Sequence, residues 1–404
     1  MNKEIVLFDQ NKDCCACGAC ANICPKNAIT MVENEQGFVY PKINTDYCIE
    51  CGACMRTCGF KTKISPVEFR QKIFAFASKN KDILTKSASG GAFAEIAKYV
   101  LSNKAGVVYG AVEESREQNW KIHHKRIESL EDLEMLQGSK YVQSEIGTAY
   151  REIKKDLLDG RNVLFSGTPC QVDGLNNFLG REYDNLLTVD IICHGVPSQK
   201  MFTDFLKYQE GKLNKKIERF IFRDKSKGQG MISRIDICGS NKSIVKKGEL
   251  YSYFYFFLKQ HIYRDNCYIC PYARRERVSD LTLGDFWGFA KIYPEVDKKI
   301  LSDERGVSCI IANTEKGLSF ILNNLTDCTI MDSDFEKASA YNGQLSAPSH
   351  DSDIRAQLLE KYVNQGYSAL DSYYNTHFWK DRIKYNISAI LPTDFKRNVR
   401  RLFR

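Results

Sequence analysis

The feature that most constrains the fold is a pair of cysteine runs within the first 60 residues. Each run has the spacing C-x2-C-x2-C-x3-C, and the second repeats the first at an offset of 34 residues. The runs consist of Cys14, Cys17, Cys20 and Cys24, and of Cys48, Cys51, Cys54 and Cys58. Bacterial ferredoxins that hold two 4Fe–4S clusters have this spacing. The pattern therefore predicts an N-terminal segment folded around two clusters.

The fourth cysteine of each run is predicted to bind the cluster of the other run, as in those ferredoxins. Three closely spaced thiolates from one loop can bind three irons, so the fourth iron needs a ligand from elsewhere. The predicted ligand sets are Cys14, Cys17, Cys20 and Cys58, and Cys48, Cys51, Cys54 and Cys24. Zinc is the alternative, but its sites usually separate two C-x2-C pairs by a longer loop. Cys15 is an additional thiol that we expect to point away from the ligands.

The rest of the chain needs its own explanation, since 404 residues are far more than a ferredoxin requires and allow two or three domains. No apolar core of signal-peptide length occurs at the start, and the most apolar window, 250–263, is too short for a transmembrane segment. We therefore expect a cytoplasmic protein with a buried helix in that window. The formal charge of +8 falls to about +2 if three clusters are bound, so no nucleic-acid partner is expected.

Alternating strand and helix patterns follow the cysteine runs. Strands are predicted at KIFAFAS, GVVYGAV, NVLFSG and LLTVDIIC, with helices at GGAFAEIAKYVLSN, SLEDLEML and TAYREIKKDLLDG. Two short strands are predicted within AITMVENEQGFVYPKI, and KIERFIFRD, MISRIDICG and KSIVKKG predict an antiparallel portion. The fold class expected is α+β: a bacterial-ferredoxin-like domain at 1–65, an α/β catalytic domain at 70–345 and a helical C-terminal extension at 346–404.

Two short segments are interpreted separately. Lys61–Phe69 is predicted to be the linker between the first two domains. The last residues, FKRNVRRLFR, are strongly basic and are interpreted either as a solvated helix end or as a docking or membrane-surface element.

Four later cysteines form a third candidate metal site. Cys170 and Cys193 each follow a predicted strand, at turns where ligands gather in α/β sheets. With the C-x2-C pair Cys267 and Cys270 they supply four thiolates, enough for a third 4Fe–4S cluster. A zinc site or buried free cysteines are the alternatives. The remaining three, Cys238, Cys309 and Cys328, are expected in the core.

Glycine-rich and charged segments suggest a phosphate-bearing cofactor. Ser87, Ser89, Gly90 and Gly91 precede a predicted helix, where free amides and the helix dipole suit a phosphate group. The segment QGSKYVQS supplies a cation and an aromatic ring suited to a phosphate or a ring system. No GxGxxG fingerprint occurs, so a Rossmann dinucleotide site is not predicted.

Other polar residues have two interpretations each. Arg223, Arg274, Arg275 and Arg277 could pair with phosphates, although such arginines are usually surface charge. Asp285 lies between glycine and aromatic residues, where a turn packed by Trp287 is the plainer interpretation. His194 either donates a proton beside a metal ligand or hydrogen-bonds within a turn.

Several of these motifs occur in order in one known family. SASGGAF, GSKYVQS, GTPCQVDGL, DIICHGVPS, FRDK and CYICPYARRERVSDLTLGDFWG resemble the family of β-subunits of the coenzyme F-420-reducing hydrogenase. That family also includes dehydrogenases of reduced coenzyme F-420 and chlorophyll-modifying reductases of plants and cyanobacteria. The resemblance extends from about Asp13 to Gly288, and residues after about Pro348 match no family pattern.

The resemblance implies a catalytic domain that binds FAD and its own 4Fe–4S cluster, fed with electrons by the ferredoxin-like domain. His194 is the predicted catalytic residue, and the third cluster is assigned to the four later cysteines. The flavin-binding residues predicted on this basis are Ser87, Ser89, Gly90, Gly91, Ser139, Lys140, Tyr141, Gly167, Thr168, Pro169, Gln171, Arg223 and Asp285.

Three functions remain open from the sequence. The first is an iron–sulfur flavoprotein oxidoreductase that acts on a small organic substrate, with a donor such as ferredoxin or a nicotinamide. The second is an electron-input subunit that oxidises reduced coenzyme F-420 and passes electrons to a partner enzyme. The third is a non-enzymatic iron–sulfur sensor or scaffold. A homo-oligomer is compatible with each of them.

Overall fold

The protein is described by a computed structural model that covers residues 5–61, 69–116, 119–226, 228–302 and 304–390. Most of the predicted linker and the basic C-terminal segment lie outside these ranges. Within them, no helix is long and apolar enough to cross a membrane.

The described chain forms strands and α-helices with the following bounds. The strands are β1 Ile29–Glu33, β2 Val39–Ile43, β3 Lys72–Ser78, β4 Gly106–Arg116, β5 Asn119–Ile127, β6 Asn162–Gly167, β7 Leu186–Ile191, β8 Ile217–Ile221, β9 Ile232–Ile237, β10 Ser243–Lys247, β11 Leu281–Asp285, β12 Ser308–Ala312 and β13 Cys328–Ser333. The α-helices are α1 Ala19–Ile23, α2 Ala53–Arg56, α3 Lys81–Lys86, α4 Ala92–Ser102, α5 Leu133–Leu136, α6 Ala149–Leu158, α7 Pro169–Leu179, α8 Gln199–Leu213, α9 Ser252–Leu258, α10 Phe289–Ile292, α11 Glu315–Asn324, α12 Phe335–Ser339, α13 Arg355–Gln365, α14 Tyr367–His377 and α15 Trp379–Ile390.

The N-terminal unit has an internal repeat in its backbone as well as in its sequence. Ala16 and Gly18 have φ values of 53° and 78°, and Glu50 and Gly52, at the same places in the second run, have 54° and 67°. A left-handed backbone at a non-glycine residue is uncommon, and here it turns each run into its short helix, α1 or α2. The antiparallel hairpin β1–β2 joins the two halves, with Ile29 opposite Ile43.

This unit is fastened to the rest of the protein by helices α6 and α7. The guanidinium of Arg151 in α6 donates to the carbonyls of Asn22, Ala21 and Cys24 at 2.6, 2.9 and 3.1 Å. These carbonyls belong to the end of α1, whose last C=O groups have no partner within the helix. The first cysteine run is therefore held rigidly against the second part of the chain.

An eight-stranded mixed sheet forms the centre of the protein, with the order β13-β3-β12-β11-β7-β6-β4-β5. Strands β11, β7, β6 and β4 run parallel, and antiparallel strands flank them on both sides. Alternate residues of β3 enter different cores: Phe74 and Phe76 pack on one face, and Ile73 and Ala75 pack on the other. Both faces are buried, as is typical of a sheet with parallel strands.

A further core, apart from those on the two faces of the sheet, consists mainly of aromatic side chains. It joins the antiparallel sheet β10-β9-β8, helices α8 and α9, and the C-terminal helices α13 and α14. Phe38 and Tyr40 of the N-terminal unit also pack into it. The helices beyond residue 346 are thus packed into the body of the protein rather than lying apart as a tail.

The structure confirms the predicted strands and helices, with some differences. The three-stranded antiparallel portion, the hairpin at 29–43 and the buried helix α9 are all present. Asp285 is the last residue of β11 rather than part of a turn, because it pairs with Ser308 of β12. Cys238 is exposed rather than in the core, whereas Cys309 is fully buried in β12.

Candidate functional site

The cysteines of the two N-terminal runs line two small cavities. One is lined by Cys14, Cys17 and Cys20 of the first run together with Cys58 of the second. The other lies among Cys48, Cys51 and Cys54, with Cys24 of the first run. The four members of each predicted ligand set therefore lie around a common cavity.

The donor set in these cavities suits an iron–sulfur cluster. Backbone amides approach the sulfurs: the Ala16 N–H donates to Cys14 Sγ at 3.4 Å, and the Ala28 N–H donates to Cys24 Sγ at 3.3 Å. Burial raises the pKa of Cys14 to about 11, so its thiolate needs a cation such as iron to form. In the described ranges, no three His, Cys, Asp or Glu side chains are close enough to hold a single ion. A cubane cluster needs thiolates that lie farther apart than the ligands of a single ion, because each thiolate binds a different iron.

A third cysteine cavity lies at the junction of the sheet and the aromatic core. It is lined by Cys170 at the start of α7, Cys193 just after β7, and the pair Cys267 and Cys270. Burial raises the pKa of Cys267 to about 12 and that of Cys270 to about 11. Four cysteines from three separate elements, one buried and three half-buried, thus meet at one place, and like the N-terminal sets they fit a 4Fe–4S cluster.

Cys15 connects the first and third cavities, contrary to the expectation that it points away from the ligands. Its buried thiol lines both cavities. Its thiol neighbours are Cys17 of the first group and Cys170 of the third. The two cysteine groups are therefore separated by a single side chain.

A large cavity of about 530 Å³ lies beside the third cysteine group. It is at the carboxyl ends of the parallel strands β6, β7 and β11, where ligands bind in sheets of this kind. The predicted residues that line it are Ser87, Ser89, Gly91, Ser139, Lys140, Tyr141, Gly167, Thr168, Gln171, His194, Arg223 and Asp285. Segments more than 100 residues apart in the chain are thus brought to one site.

Gly90 and Pro169 belong to the predicted cofactor residues but do not line this cavity. A Cβ atom on Gly90 would lie 2.2 Å from the carbonyl oxygen of Phe76, so this glycine allows the loop to pack closely against β3. Pro169 is the first residue of α7 and lines the third cysteine cavity instead. Both residues have a packing role that the sequence pattern did not distinguish from cofactor contact.

The wall of the cavity contains a buried ion pair between Arg223 and Asp285. The two guanidinium Nη atoms lie 3.0 and 3.1 Å from the two carboxylate oxygens. The remaining donors of Arg223 are engaged by the Gly230 carbonyl, the Ala88 carbonyl and the Tyr141 hydroxyl. Arg223 is therefore held by the protein itself, with the Asp285 carboxylate as its ion-pair partner.

The other three predicted arginines also have carboxylate partners. Arg277 is buried and lies 3.1 Å from Asp190. Arg274 and Arg275 lie nearer the surface, each 3.8 Å from a glutamate oxygen. None of the three lines the large cavity.

Lys140 and Tyr141 are also part of the cavity wall. Lys140 Nζ donates to the carbonyls of Met135 and Gln137 at 3.0 and 2.9 Å. Burial lowers the pKa of Lys140 to about 8. Tyr141 stacks on Phe257 at a centroid distance of 4.5 Å.

Helix α4 begins at the cavity, where Gly91 has φ 85° and its Cβ position would lie 2.8 Å from Ile83. The Ser89 hydroxyl donates to the Val307 carbonyl at 2.8 Å, which ties this loop to the sheet. The first amides of α4 have no helical acceptor, so this end of the cavity suits a negatively charged group.

His194 lies between the third cysteine group and the large cavity, because it lines both. Burial lowers the pKa of His194, so its imidazole is neutral at neutral pH. Its backbone carbonyl accepts a hydrogen bond from the Ser349 hydroxyl.

Matches to known family models agree with this arrangement. Residues 13–62 match the 4Fe-4S dicluster domain. Residues 73–150 and 160–334 match the N-terminal and the C-terminal models of the coenzyme F420 hydrogenase/dehydrogenase beta subunit. The chain belongs to this family. It is therefore an iron–sulfur protein related to the β-subunits of coenzyme F-420 hydrogenases and dehydrogenases, as its sequence motifs predicted.

The individual relatives have low sequence identity to this chain. The F subunit of the F(420)H(2) dehydrogenase of Methanosarcina mazei is 28% identical over 222 residues, which are 51% of this chain. The match spans 62% of that relative's length. A chain of the F420-reducing [NiFe] hydrogenase complex from Methanosarcina barkeri is 15% identical, with a TM-score of 0.41. That comparison covers 75% of this chain and 90% of the hydrogenase chain.

One polar residue of this family member was not identified from sequence. His124 in β5 lines the large cavity, and its Nε2 lies 3.0 Å from the Ser166 carbonyl. Burial lowers its pKa to about 4. Trp120, Ile122 and His124 alternate along β5 and are all buried, so a histidine on the apolar side of an amphipathic strand was the available signal.

Proposed function

We propose that this chain passes electrons between its iron–sulfur clusters and a flavin, FAD, bound in the large cavity, and that the flavin exchanges hydride with coenzyme F-420. The observation that carries the proposal is the contact between successive sites. Cys15 lies between the first and third cysteine groups, and His194 lies between the third group and the large cavity. This order provides a short path for single electrons from the dicluster domain to the cavity.

The proposal divides the chain into three parts. Residues 1–65 form the dicluster domain, 70–345 the cofactor-binding domain and 346–404 the C-terminal extension. The third cluster is assigned to Cys170, Cys193, Cys267 and Cys270, because these four thiols line one cavity. Burial raises the pKa of Cys193 and of both members of the C-x2-C pair, so metal binding would provide the positive charge that their thiolates need.

The need for a flavin follows from electron counting. Iron–sulfur clusters transfer one electron, whereas hydride carriers transfer two. A flavin exchanges electrons with both kinds of partner and supplies that conversion when bound. A cavity of about 530 Å³ is within the size range of cofactor sites, and it adjoins the cysteine group that would exchange single electrons with it.

The residues of this chain would hold such a cofactor as follows. The first amides of α4, beyond Gly91, would receive phosphate oxygens. The aromatic ring of Tyr141 lies in the wall and is fixed by its hydrogen bond from Arg223. The neutral imidazole of His194 would hold or accept a proton on the side that faces the cysteine group. The Arg223–Asp285 pair would keep the wall rigid and dry.

Coenzyme F-420 is proposed as the hydride carrier because the family models and the Methanosarcina mazei relative carry it in their names. This favours the electron-input function over a reductase for another small organic substrate. The geometry of the cavity is compatible with both, so the choice between them is made by experiment.

The test is a donor comparison on anaerobically purified protein with its iron and flavin content measured. Mixed with reduced coenzyme F-420 and an artificial one-electron acceptor, the protein should restore the visible absorbance of the oxidised deazaflavin as the acceptor is reduced. Reduced nicotinamides and reduced ferredoxin serve as comparison donors. Loaded protein that uses one of those donors but leaves reduced F-420 unchanged would contradict the F-420 assignment. Protein that retains no flavin would support the sensor function instead.

A further inference from the structure

Arg264 is the largest side chain that is completely buried in the described part of the protein. It lies just before Cys267, and its backbone N–H donates to the Val196 carbonyl at 3.0 Å. Its Nε donates to the carbonyl of Cys14 at 3.0 Å, and Nη1 donates to Gln143 Oε1 at 3.2 Å. The guanidinium lies 4.1 Å from the ring centroid of Tyr40. This arginine therefore joins the first cysteine run to the body of the protein.

Among the described residues, Arg264 forms no ion pair with a carboxylate. The two other deeply buried arginines at the site, Arg223 and Arg277, have ion-pair distances of 3.0 and 3.1 Å to aspartates. The carboxylate next to Arg264 in sequence, Asp265, is paired instead with Arg355 at 2.8 Å. Nη2 of Arg264 is buried without a hydrogen-bond partner. An unpaired buried cation is strongly unfavourable, so an anion is expected beside it.

The groups near Arg264 identify that anion. Arg264 Nε donates to the Cys14 carbonyl at 3.0 Å, and the Arg264 carbonyl accepts the N–H of Cys267 at 3.0 Å. Cys14 belongs to the first cysteine group and Cys267 to the third, so Arg264 contacts one proposed ligand of each cluster. A 4Fe–4S cluster with four thiolates carries a net charge of about −2, and it becomes more negative by one unit on reduction.

We propose that Arg264 is the shared counter-charge of the first and third iron–sulfur clusters and raises the reduction potentials of both. A fixed buried cation stabilises the reduced cluster more than the oxidised one, because the added electron increases the attraction in a medium of low dielectric constant. The statement about the first cluster rests on the dicluster domain alone, and the statement about the third rests on the proposed function. With Arg264 in place, electrons are held preferentially at the two inner clusters.

The second cluster site offers a matched comparison within the same chain. Arg56 Nη1 donates to the carbonyl of Cys51 at 3.1 Å, which is the same kind of contact that Arg264 makes with Cys14. Arg56 is exposed, however, so water and salt screen its charge. The two arginines differ mainly in burial, and their effects on potential should differ accordingly.

The experiment is an anaerobic redox titration followed by electron paramagnetic resonance, on the full chain with all clusters loaded. In Arg264→Gln, the ratio of reduced to oxidised first cluster at a fixed potential should fall at least tenfold, which corresponds to about 59 mV for one electron. Arg264→Lys should remain close to the wild-type protein, because it keeps the charge. Arg56→Gln should change the ratio for the second cluster by less than the change that Arg264→Gln causes in the first.

A second variant covers the case in which Arg264→Gln does not load its clusters. Gln143→Glu keeps Arg264 and places a carboxylate at the position that now lies 3.2 Å from Nη1. It should also lower the potential of the first cluster. A first-cluster potential that stays the same or rises in either loaded variant would overturn the proposal. Iron analysis separates the two hypotheses: about eight irons per chain would refute the third cluster and leave the first-cluster test intact.

Discussion

The second and third cysteine groups differ in their access to solvent. In the second group Cys51 is exposed, and its neighbours Tyr47 and Ile49 are 65% and 56% exposed. In the third group Cys267 is buried and the other three cysteines are half-buried, although Ile269 beside Cys270 is 51% exposed. In the proposed electron path, the second group would exchange electrons with a partner protein, and the third group would exchange them with the cofactor in the large cavity beside it.

The two groups also differ in how their ligands are held. Three of the four cysteines of the second group come from one seven-residue segment, Cys48–Cys54, with the small residues Gly52 and Ala53 before the last of them. The third group takes its cysteines from the start of α7, the end of β7 and a 3-10 helix, Asp265–Ile269. A site of the first kind depends on local backbone conformation, whereas a site of the second kind depends on the packing of the whole sheet.

The double variant Cys267→Ser and Cys270→Ser should have the largest effect, because it should remove the third cluster and leave the second in place. We expect the loss of about four irons per chain, because two of four ligands of one cluster are removed. The N-terminal clusters should remain, and they should no longer be reduced from the large cavity. Iron analysis and the rate of cluster reduction by the hydride donor measure both effects.

Cys309→Ser provides the control for this variant. Cys309 is a fully buried thiol in β12 that lies outside the three cysteine cavities. Its replacement should leave the iron content unchanged. If the double variant also keeps its full iron content, the thiols of the C-x2-C pair are structural.

Gly174→Ala tests the junction between the two regions. Gly174 lies in α7, and a Cβ atom there would be 2.9 Å from Cys17 Cβ and 3.0 Å from its sulfur. An alanine in a helix normally adds about 0.5–1 kcal/mol of stability relative to glycine. At this position we expect the reverse, with a weakened first cluster, because the methyl group displaces one of its ligands. The spectrum of the first cluster and the unfolding temperature are the measurements.

Gly211→Ala is the matched control for that substitution. Gly211 also lies within a helix, α8, but a Cβ atom there would have no neighbour within 4 Å. It should leave the clusters unchanged and stabilise the protein slightly. Equal behaviour of the two variants would show that α7 does not press against the first cysteine run.

The two N-terminal cluster sites could be predicted from the sequence, because most of their ligands lie within a few residues of one another. The spacing of Cys14 to Cys24 already required a loop around a cluster, and the structure places Cys58 beside it. The repeated left-handed conformation at Ala16 and Glu50 was not readable, because neither residue type favours it.

The assembled site was only partly predictable, since the order of the strands decides which residues meet. The motifs predicted that Arg223 and Asp285 belong to one site, but not that they pair with each other. Arg264 gave no sequence signal at all. Its position between two cysteine groups follows from the contact of the N-terminal unit with the segment before Cys267, which no local pattern records.

The smallest effect that we predict is a pH dependence of stability that arises in the wall of the large cavity and not in the N-terminal unit. The N-terminal unit has no histidine, whereas the cavity wall contains the buried His124, whose pKa is lowered by burial to about 4. Above pH 6.5 this residue is neutral in both the folded and the unfolded protein. As the pH falls from about 6.5 towards 4, only the unfolded chain takes up the proton, so stability decreases by up to about 3 kcal/mol.

His124→Gln can keep a donor near the Ser166 carbonyl without titrating, so its stability relative to the wild-type protein should rise across this interval. Unfolding experiments at each pH measure this difference, and the acid loss of clusters is common to both proteins. A constant difference between His124→Gln and the wild-type protein across that pH interval would mean that His124 is not the group that makes the cavity wall sensitive to acid.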